Sequence, residues 1–239
     1  MRSSPKPIAL NKRIIFALDL GSPASAKAWV QRLESRIGFF KVGLELFLSG
    51  GFEIVDWIVG RGHEVMLDLK FFDVPRTVGA AVHQTLKSGA SLITVHGNDA
   101  MLQAAVEAGG RDKILAITAL TSLDRGDLIS LGFSCDLDEL VLSRARRALD
   151  LGCKGVVASG LEAPLLRNLL GEALYIVTPG VRPLRNTEAD DQKRIIDPAR
   201  AIGQGADHIV VGRPIRQAAD PLAMAVQMQD LVHSALPQG

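Results

Sequence analysis

The sequence predicts a single (β/α)8 barrel of the TIM type, a closed parallel sheet of eight strands ringed by helices, on three observations. Eight short, β-rich apolar runs recur along the chain, amphipathic helical stretches separate them, and no GxGxxG follows the first run. Strict strand–helix alternation requires a parallel sheet with right-handed crossovers. Strands buried on both faces read as continuous apolar runs rather than as alternation. A length of 239 residues accommodates eight such units. The rival, an open doubly wound sheet, would carry a glycine-rich loop where this chain has Asp19-Leu20-Gly21-Ser22-Pro23.

In chain order the expected strands are Ile14–Leu18, Phe39–Val42, Glu64–Leu69, Leu92–His96, Ile114–Ala119, Gly155–Ser159, Tyr175–Thr178 and His208–Val211. Helical periodicity marks Ala24–Arg36, Glu53–Arg61, Thr77–Ser88, Met101–Ala108, Leu137–Leu149 and Ala163–Leu170. Glycines at 89, 152 and 205 stop the helical pattern before the next strand. No low-complexity linker or shift in composition divides residues 1–239, so one domain is expected, with residues 1–11 as an N-terminal extension.

Charge excludes several function classes. The 27 basic and 26 acidic residues nearly cancel, so no electrostatic footprint for nucleic acid or an anionic membrane is present, and aromatic residues at 5% are too few for a base-stacking platform. Any anion must be bound locally. No run of about 18 apolar residues offers a membrane span, and Met1 to Asn11 resembles neither a signal peptide nor an anchor. The cysteines, Cys135 and Cys153, lack metal-ligand spacing and are expected as reduced thiols of a cytoplasmic protein.

In a barrel of this kind the C-terminal ends of the strands form the site. Those ends carry Asp19, Lys41, Asp68, Lys70, His96, Thr121, Ser159, Pro179, Gly212 and Arg213. The densest segment is Asp68-Leu69-Lys70-Phe71-Phe72-Asp73-Val74-Pro75. Residues two apart on a strand share a face, so Asp68 and Lys70 project together, and pairing offsets part of the cost of burying each charge. An ordinary ion pair at a strand end would explain those two alone, but not Asp73, Lys41 and Asp19 beside them. Flanking carboxylates favour the ammonium form of Lys70, making it a proton donor rather than an amine nucleophile.

Loops after the seventh and eighth strands commonly bind phosphate in this fold. Here the seventh loop, from Gly180 to roughly Arg194, is long and polar and carries Arg182, Arg185 and Gln192. The eighth strand ends in Gly212-Arg213, where glycine admits a close backbone approach and arginine supplies a bidentate clamp. Either arginine alone could serve a surface salt bridge; two at the ends of adjacent strands favour a phosphate site.

The segment Asp68-x-Lys70-x-x-Asp73, after Ala17-Leu18-Asp19 and Lys41-Val42-Gly43, resembles the orotidine 5′-phosphate decarboxylase family. So do Thr118-Ala119-Leu120-Thr121-Ser122, Val177-Thr178-Pro179-Gly180-Val181-Arg182-Pro183 and Val210-Val211-Gly212-Arg213-Pro214, in family order from the first strand to the eighth. The resemblance implies conversion of orotidine 5′-monophosphate to uridine 5′-monophosphate in pyrimidine biosynthesis, by a homodimer without metal or cofactor. It implies a charged array of Lys41, Asp68 and Lys70, joined by Asp73 of the partner subunit. Asp68 would face the departing carboxylate, and Lys70 would stabilise and protonate the carbanion at C6. Asp19 and Lys41, with Asp73 and Thr77 across the interface, would hold the ribose. Thr121 would bond the pyrimidine, Pro179 would border it, and Gln192 and Arg213 would grip the phosphate. The chain departs from the family's pattern at Asp190, where a glycine is usual.

Two other functions compete. A magnesium-dependent sugar-phosphate decarboxylase or aldolase of the same barrel superfamily would need a metal-binding glutamate where this chain has Lys41, whose charge repels a divalent cation. A catalytically silent phosphate binder is the second, since fold does not imply activity. Elsewhere the residues read as scaffold. His96 has a supporting role, and His63, His83, His208 and His233 are solvated. Glu45, Phe47 and Leu48 begin a helix, and Asp124, Arg125 and Asp127 form a solvated loop or lid.

Overall fold

A computed structural model describes residues 6–183 and 196–236. Among them, strands β1 (Ile14–Ala17), β2 (Phe39–Gly43), β3 (Glu64–Phe71), β4 (Leu92–His96), β5 (Ile114–Ile117), β6 (Gly155–Val157), β7 (Tyr175–Thr178) and β8 (His208–Val211) pair in parallel in chain order. Strand β1 also pairs with β8, which closes the barrel. The helices are α1 (Leu10–Arg13), α2 (Pro23–Leu33), α3 (Leu44–Gly60), α4 (Pro75–Leu86), α5 (Asp99–Ala105), α6 (Arg125–Ser130), α7 (Leu137–Asp150), α8 (Ala163–Leu170), α9 (Pro198–Gly203), α10 (Arg213–Arg216) and α11 (Pro221–Ala235). None is long and apolar enough to cross a membrane.

Alternation along the strands makes two cores. Ile14, Phe16, Phe40, Val42, Val65 and Leu67 face outward and pack against the helices. Ile15, Phe39, Met66, Leu92, Leu115 and Val177 fill the barrel interior. Burying each large apolar side chain contributes about 1.5–3 kcal/mol. Lys41, Asp68 and Thr94 each stand two residues beyond an interior apolar residue, so the same alternation turns them inward one layer higher. The barrel filling thus forms a dry floor beneath a polar layer.

Local chemistry fixes the helix starts. Ser22 accepts a hydrogen bond from the Ser25 amide ahead of Pro23 at the first turn of α2. Asp136 and Glu139 form a reciprocal capping box at α7. Asp124 and Asp127 form another at α6, so the segment expected as a solvated loop is a short helix. Helix α3 begins at Leu44, where Glu45, Phe47 and Leu48 are expected to open a helix, and joins the stretch expected from Glu53 through a kink at Gly51, whose φ is 55°.

Two histidines expected in solvent, His208 and His63, are held by the fold. His208 is buried, not solvated. It points into the lower barrel, stacks on Tyr175 at 5.7 Å, meets the Phe39 ring edge-on and donates from Nδ1 to the Lys12 carbonyl at 2.9 Å. Burial, the largest influence, lowers its pKa, so the ring is neutral. The described part of the N-terminal extension is docked: Lys6 reaches Asp207 and the Leu174 carbonyl, each at 2.9 Å. His63 is also tied down, against Glu34 at 3.1 Å.

Candidate active site

Strand β3 does not run regularly to its end. Between the pairs Leu67–Ile93 and Phe71–Val95 it advances four residues while β4 advances two. Lys70 lies in this bulge with φ 50°, the only non-glycine residue at positive φ among those described. A side chain in that region costs on the order of 1–3 kcal/mol unless its surroundings hold it. Asp68 and Lys70 do come together, at 2.8 Å, but through a bulge rather than the plain alternation expected from sequence.

Around this turn the charges interlock. Lys70 Nζ donates to Asp68 Oδ2 at 2.8 Å, Lys41 Nζ stands 3.5 Å from the same oxygen, and Lys41 donates to Asp19 Oδ1 at 2.7 Å. Lys41 and Asp68 are only 9% and 7% exposed, so each charge depends on the oppositely charged and hydrogen-bonding partners around it. Burial alone would raise the Asp68 pKa, yet Lys41, Lys70 and hydrogen bonds from Lys70 and Thr94 outweigh it and hold the carboxyl below its ordinary range. Burial would likewise lower the Lys41 pKa, but Asp68 and Asp19 raise it above the usual lysine value. The site therefore holds an ionised Asp68 beside a charged Lys41 at neutral pH, with Lys70 Nζ on the same carboxylate oxygen.

Glycines leave room for this array. A Cβ at Gly43 would lie 3.0 Å from Lys41 Nζ and 3.2 Å from Asp19 Oδ1. Above it opens a cavity of about 570 Å³, lined by Asp19, Lys41, Asp68 and Lys70 together with Thr121, Pro179, Arg182, Gly212 and Arg213. That volume suits a nucleotide-sized ligand. Two arginines thus share one space with the charged cluster.

A profile of the orotidine 5′-phosphate decarboxylase / HUMPS family matches residues 12–228. The orotidine 5′-phosphate decarboxylase of Methylococcus capsulatus is 53% identical over 237 residues, covering 99% of this chain and 98% of that protein. The enzyme of that name from Xanthomonas euvesicatoria pv. vesicatoria is 45% identical, covering 100% of this chain and 99% of that one. The crystal structure of the orotidine 5′-phosphate decarboxylase from Lactobacillus acidophilus superposes with a TM-score of 0.81 at 30% identity, covering 92% of this chain and 99% of the other. This chain belongs to the orotidine 5′-phosphate decarboxylase / HUMPS family.

The residues likened to that family fall into three groups. Asp19, Lys41, Asp68, Lys70, Thr121, Pro179, Arg182, Gly212 and Arg213 share one cavity. Asp73 and Thr77 do not line it; both are exposed, and Asp73 Oδ1 accepts the Val74 amide at 2.6 Å. Gln192, with Arg185 and Asp190, lies outside the described residues. Sequence reasoning missed Thr94, which bonds both Asp68 and Lys70, and Arg216, which lines the cavity and donates to the Asp19 carbonyl. Alternation from Leu92 could have flagged Thr94 as inward-facing; nothing local marks its partners. His96 packs edge-on to Phe72 at 5.0 Å, and burial first, then Arg144 and Lys70, lowers its pKa.

Proposed function

We propose that this protein decarboxylates orotidine 5′-monophosphate to uridine 5′-monophosphate and CO2, the activity named for its relatives, and supplies the last step to that nucleotide in pyrimidine biosynthesis. The observation that carries the reading is the Asp68 carboxylate fixed between Lys41 and Lys70 in a cavity that Arg182 and Arg213 also line. The arginines, with Gln192, hold the phosphate, while Thr121 and Pro179 meet the base and Asp19 and Lys41 meet the ribose.

The pyrimidine C6 then lies over the charged floor. Its bond to the carboxylate breaks, CO2 departs, and the electron pair stays on C6. Lys70 stabilises that carbanion as an ammonium ion and donates a proton to C6, and solvent later restores the proton. Asp68 is already ionised and fixed, so it meets the substrate carboxylate with like charge, and departure of neutral CO2 relieves that contact. Fixed groups facing developing charge in a water-poor site need no reorganisation during the reaction. Phosphate contacts remote from C6 contribute binding energy to organising the site.

The working unit in this reading is a homodimer, in which Asp73 and Thr77 of the partner subunit complete each cavity. Its support is the exposed apolar surface beside them: Phe72 and Val74 flank Asp73, and Leu44 and Leu48 open α3, with Leu48 82% exposed. The chain acts as one barrel domain, cytoplasmic in keeping with two free cysteines. No metal or organic cofactor takes part. Lys41 supports this, because its ammonium fills the space between Asp19 and Asp68 where a divalent cation would need oxygen ligands.

The test follows the ultraviolet absorbance of orotidine 5′-monophosphate with purified protein in excess EDTA, beside Lys70→Ala. Conversion that resists EDTA and is lost in the variant is expected. No conversion, with turnover of a sugar phosphate once magnesium is restored, would assign the chain to the metal-dependent branch instead.

A further inference from the structure

Thr94 lies on β4 with no exposed surface, and its hydroxyl makes two bonds in opposite senses. It accepts the Lys70 amide N–H at 2.9 Å and donates to Asp68 Oδ1 at 3.0 Å. A hydroxyl has one proton to give and lone pairs to receive, so this pair of bonds uses it in both roles. The β3 bulge takes the Lys70 amide out of the ladder with β4, and Thr94 Oγ1 supplies the acceptor that the ladder no longer provides.

We propose that Thr94 is a positioning residue of this site: its hydroxyl locks Lys70 into its left-handed turn and fixes the rotation of the Asp68 carboxylate, so that Oδ2 faces both lysines. The inference rests on the decarboxylase reading for its effect on turnover, and on geometry alone for its effect on Lys70. Each carboxylate oxygen has a separate duty. Oδ1 takes the Thr94 proton, leaving Oδ2 to face Lys70 at 2.8 Å and Lys41 at 3.5 Å. Without the hydroxyl, Asp68 is free to turn, the Lys70 amide loses its acceptor, and the strained turn loses what holds it. A β-branched side chain suits the task, because packing against a strand leaves it little rotational freedom. The bond also favours the ionised carboxyl of Asp68, beside Lys41 from β2 and Lys70 from β3. Asp19 stands behind Lys41, and His96, with Arg144 beyond it, stands on the Lys70 side.

Thr94→Val removes the hydroxyl at nearly constant shape, and Thr94→Ser keeps it while removing the methyl group. Kinetics with orotidine 5′-monophosphate and crystal structures of both variants test the proposal. The expected result for valine is a loss of kcat on the order of 10²-fold, KM within roughly threefold because no direct substrate contact is removed, and an acid limb of the kcat profile moved to higher pH. Its structure shows Lys70 out of the left-handed region. Serine restores kcat to within a few-fold and Lys70 to its turn. Wild-type kcat in the valine variant with Lys70 unmoved would overturn the proposal, as would equal damage from serine. Should valine prevent folding, Thr94→Ala carries the same deletion with less crowding and is read the same way. If the wild-type protein does not decarboxylate the nucleotide, the functional reading falls, while the Lys70 conformation in the variants still decides the role of Thr94.

Discussion

Lys41 Nζ and Asp68 Oδ2 lie 3.5 Å apart on neighbouring strands, both almost fully buried. Their mutual field opposes the burial that would neutralise each, which lowers the Asp68 pKa and raises that of Lys41. A depressed carboxyl stabilises the fold above its unfolded value of about 3.9, and that contribution is lost as pH falls through the folded value. A raised lysine stabilises below its unfolded value of about 10.4, and the contribution is lost as pH rises through the folded value. Urea unfolding of Lys41→Met against wild type is therefore expected to show a difference that is flat from about pH 4 to 10 and narrows outside that window. Asp68 keeps Lys70 and Thr94, so the cost is about 1–3 kcal/mol, below the roughly 3–5 kcal/mol of orphaning a buried charge. A difference that ignores pH would contradict the coupling.

A second titration belongs to the outer shell of the barrel. Glu34 receives Arg61 Nε at 2.9 Å and a second guanidinium nitrogen at 2.7 Å, with His63 at 3.1 Å. The Arg61 bonds first, then His63, bring its pKa down to about 2. Stability from this group is present above about pH 4.3, the usual glutamate value, and disappears as pH falls toward the folded one. Thermal midpoints of Glu34→Gln should thus fall less steeply below pH 4.3 than those of wild type, by circular dichroism. Parallel curves would show that the cluster does not report on folding.

Arg213 lines the same cavity as Lys70, from the segment that follows β8. Arg213→Ala is expected to lower kcat/KM for the nucleotide by roughly 10- to 100-fold, the worth of a charge-assisted hydrogen bond, while leaving slow turnover of the phosphate-free nucleoside unchanged. Equal loss on both substrates would place the arginine's effect on the base or ribose instead.

Asp73 and Thr77 are exposed and do not line the cavity of their own chain, so the proposed sharing between subunits can be measured directly. Lys70→Ala and Asp73→Ala homodimers are each expected to be inactive. Mixing them under conditions of subunit exchange should restore activity, because a mixed dimer has one site with both residues intact. Val74→Glu, placing charge in the exposed apolar surface, should shift the sedimentation coefficient toward the monomer and abolish activity. A mixture that stays inactive while exchange is demonstrated would mean each chain completes its own site.

Much of the molecule was legible in the chain. Continuous apolar runs set the eight strands, and their order and the outcome of closure follow from alternation with helices. The same period of two put Lys41 and Asp68 above Phe39 and Met66 at the ends of β2 and β3, where a barrel of this kind gathers its chemistry. Charges read from sequence at strand ends therefore met in one cavity, because burial pattern and strand register are both local properties of the backbone.

Other features depended on contacts between distant segments. The burial of His208 follows from the facing Tyr175 and Phe39 rings. The positive φ of Lys70 arises from a register shift against β4, which no feature of the β3 sequence encodes by itself. Likewise Thr94 is one threonine in an apolar strand until folding sets its hydroxyl between the Lys70 amide and the Asp68 carboxylate. Sequence alone determined which residue types stand at the barrel mouth, since side-chain period and hydrophobicity act over a few residues. Tertiary structure alone decided how they are held, since hydrogen bonds and ion pairs depend on ångström distances between strands that the chain brings together only on closing.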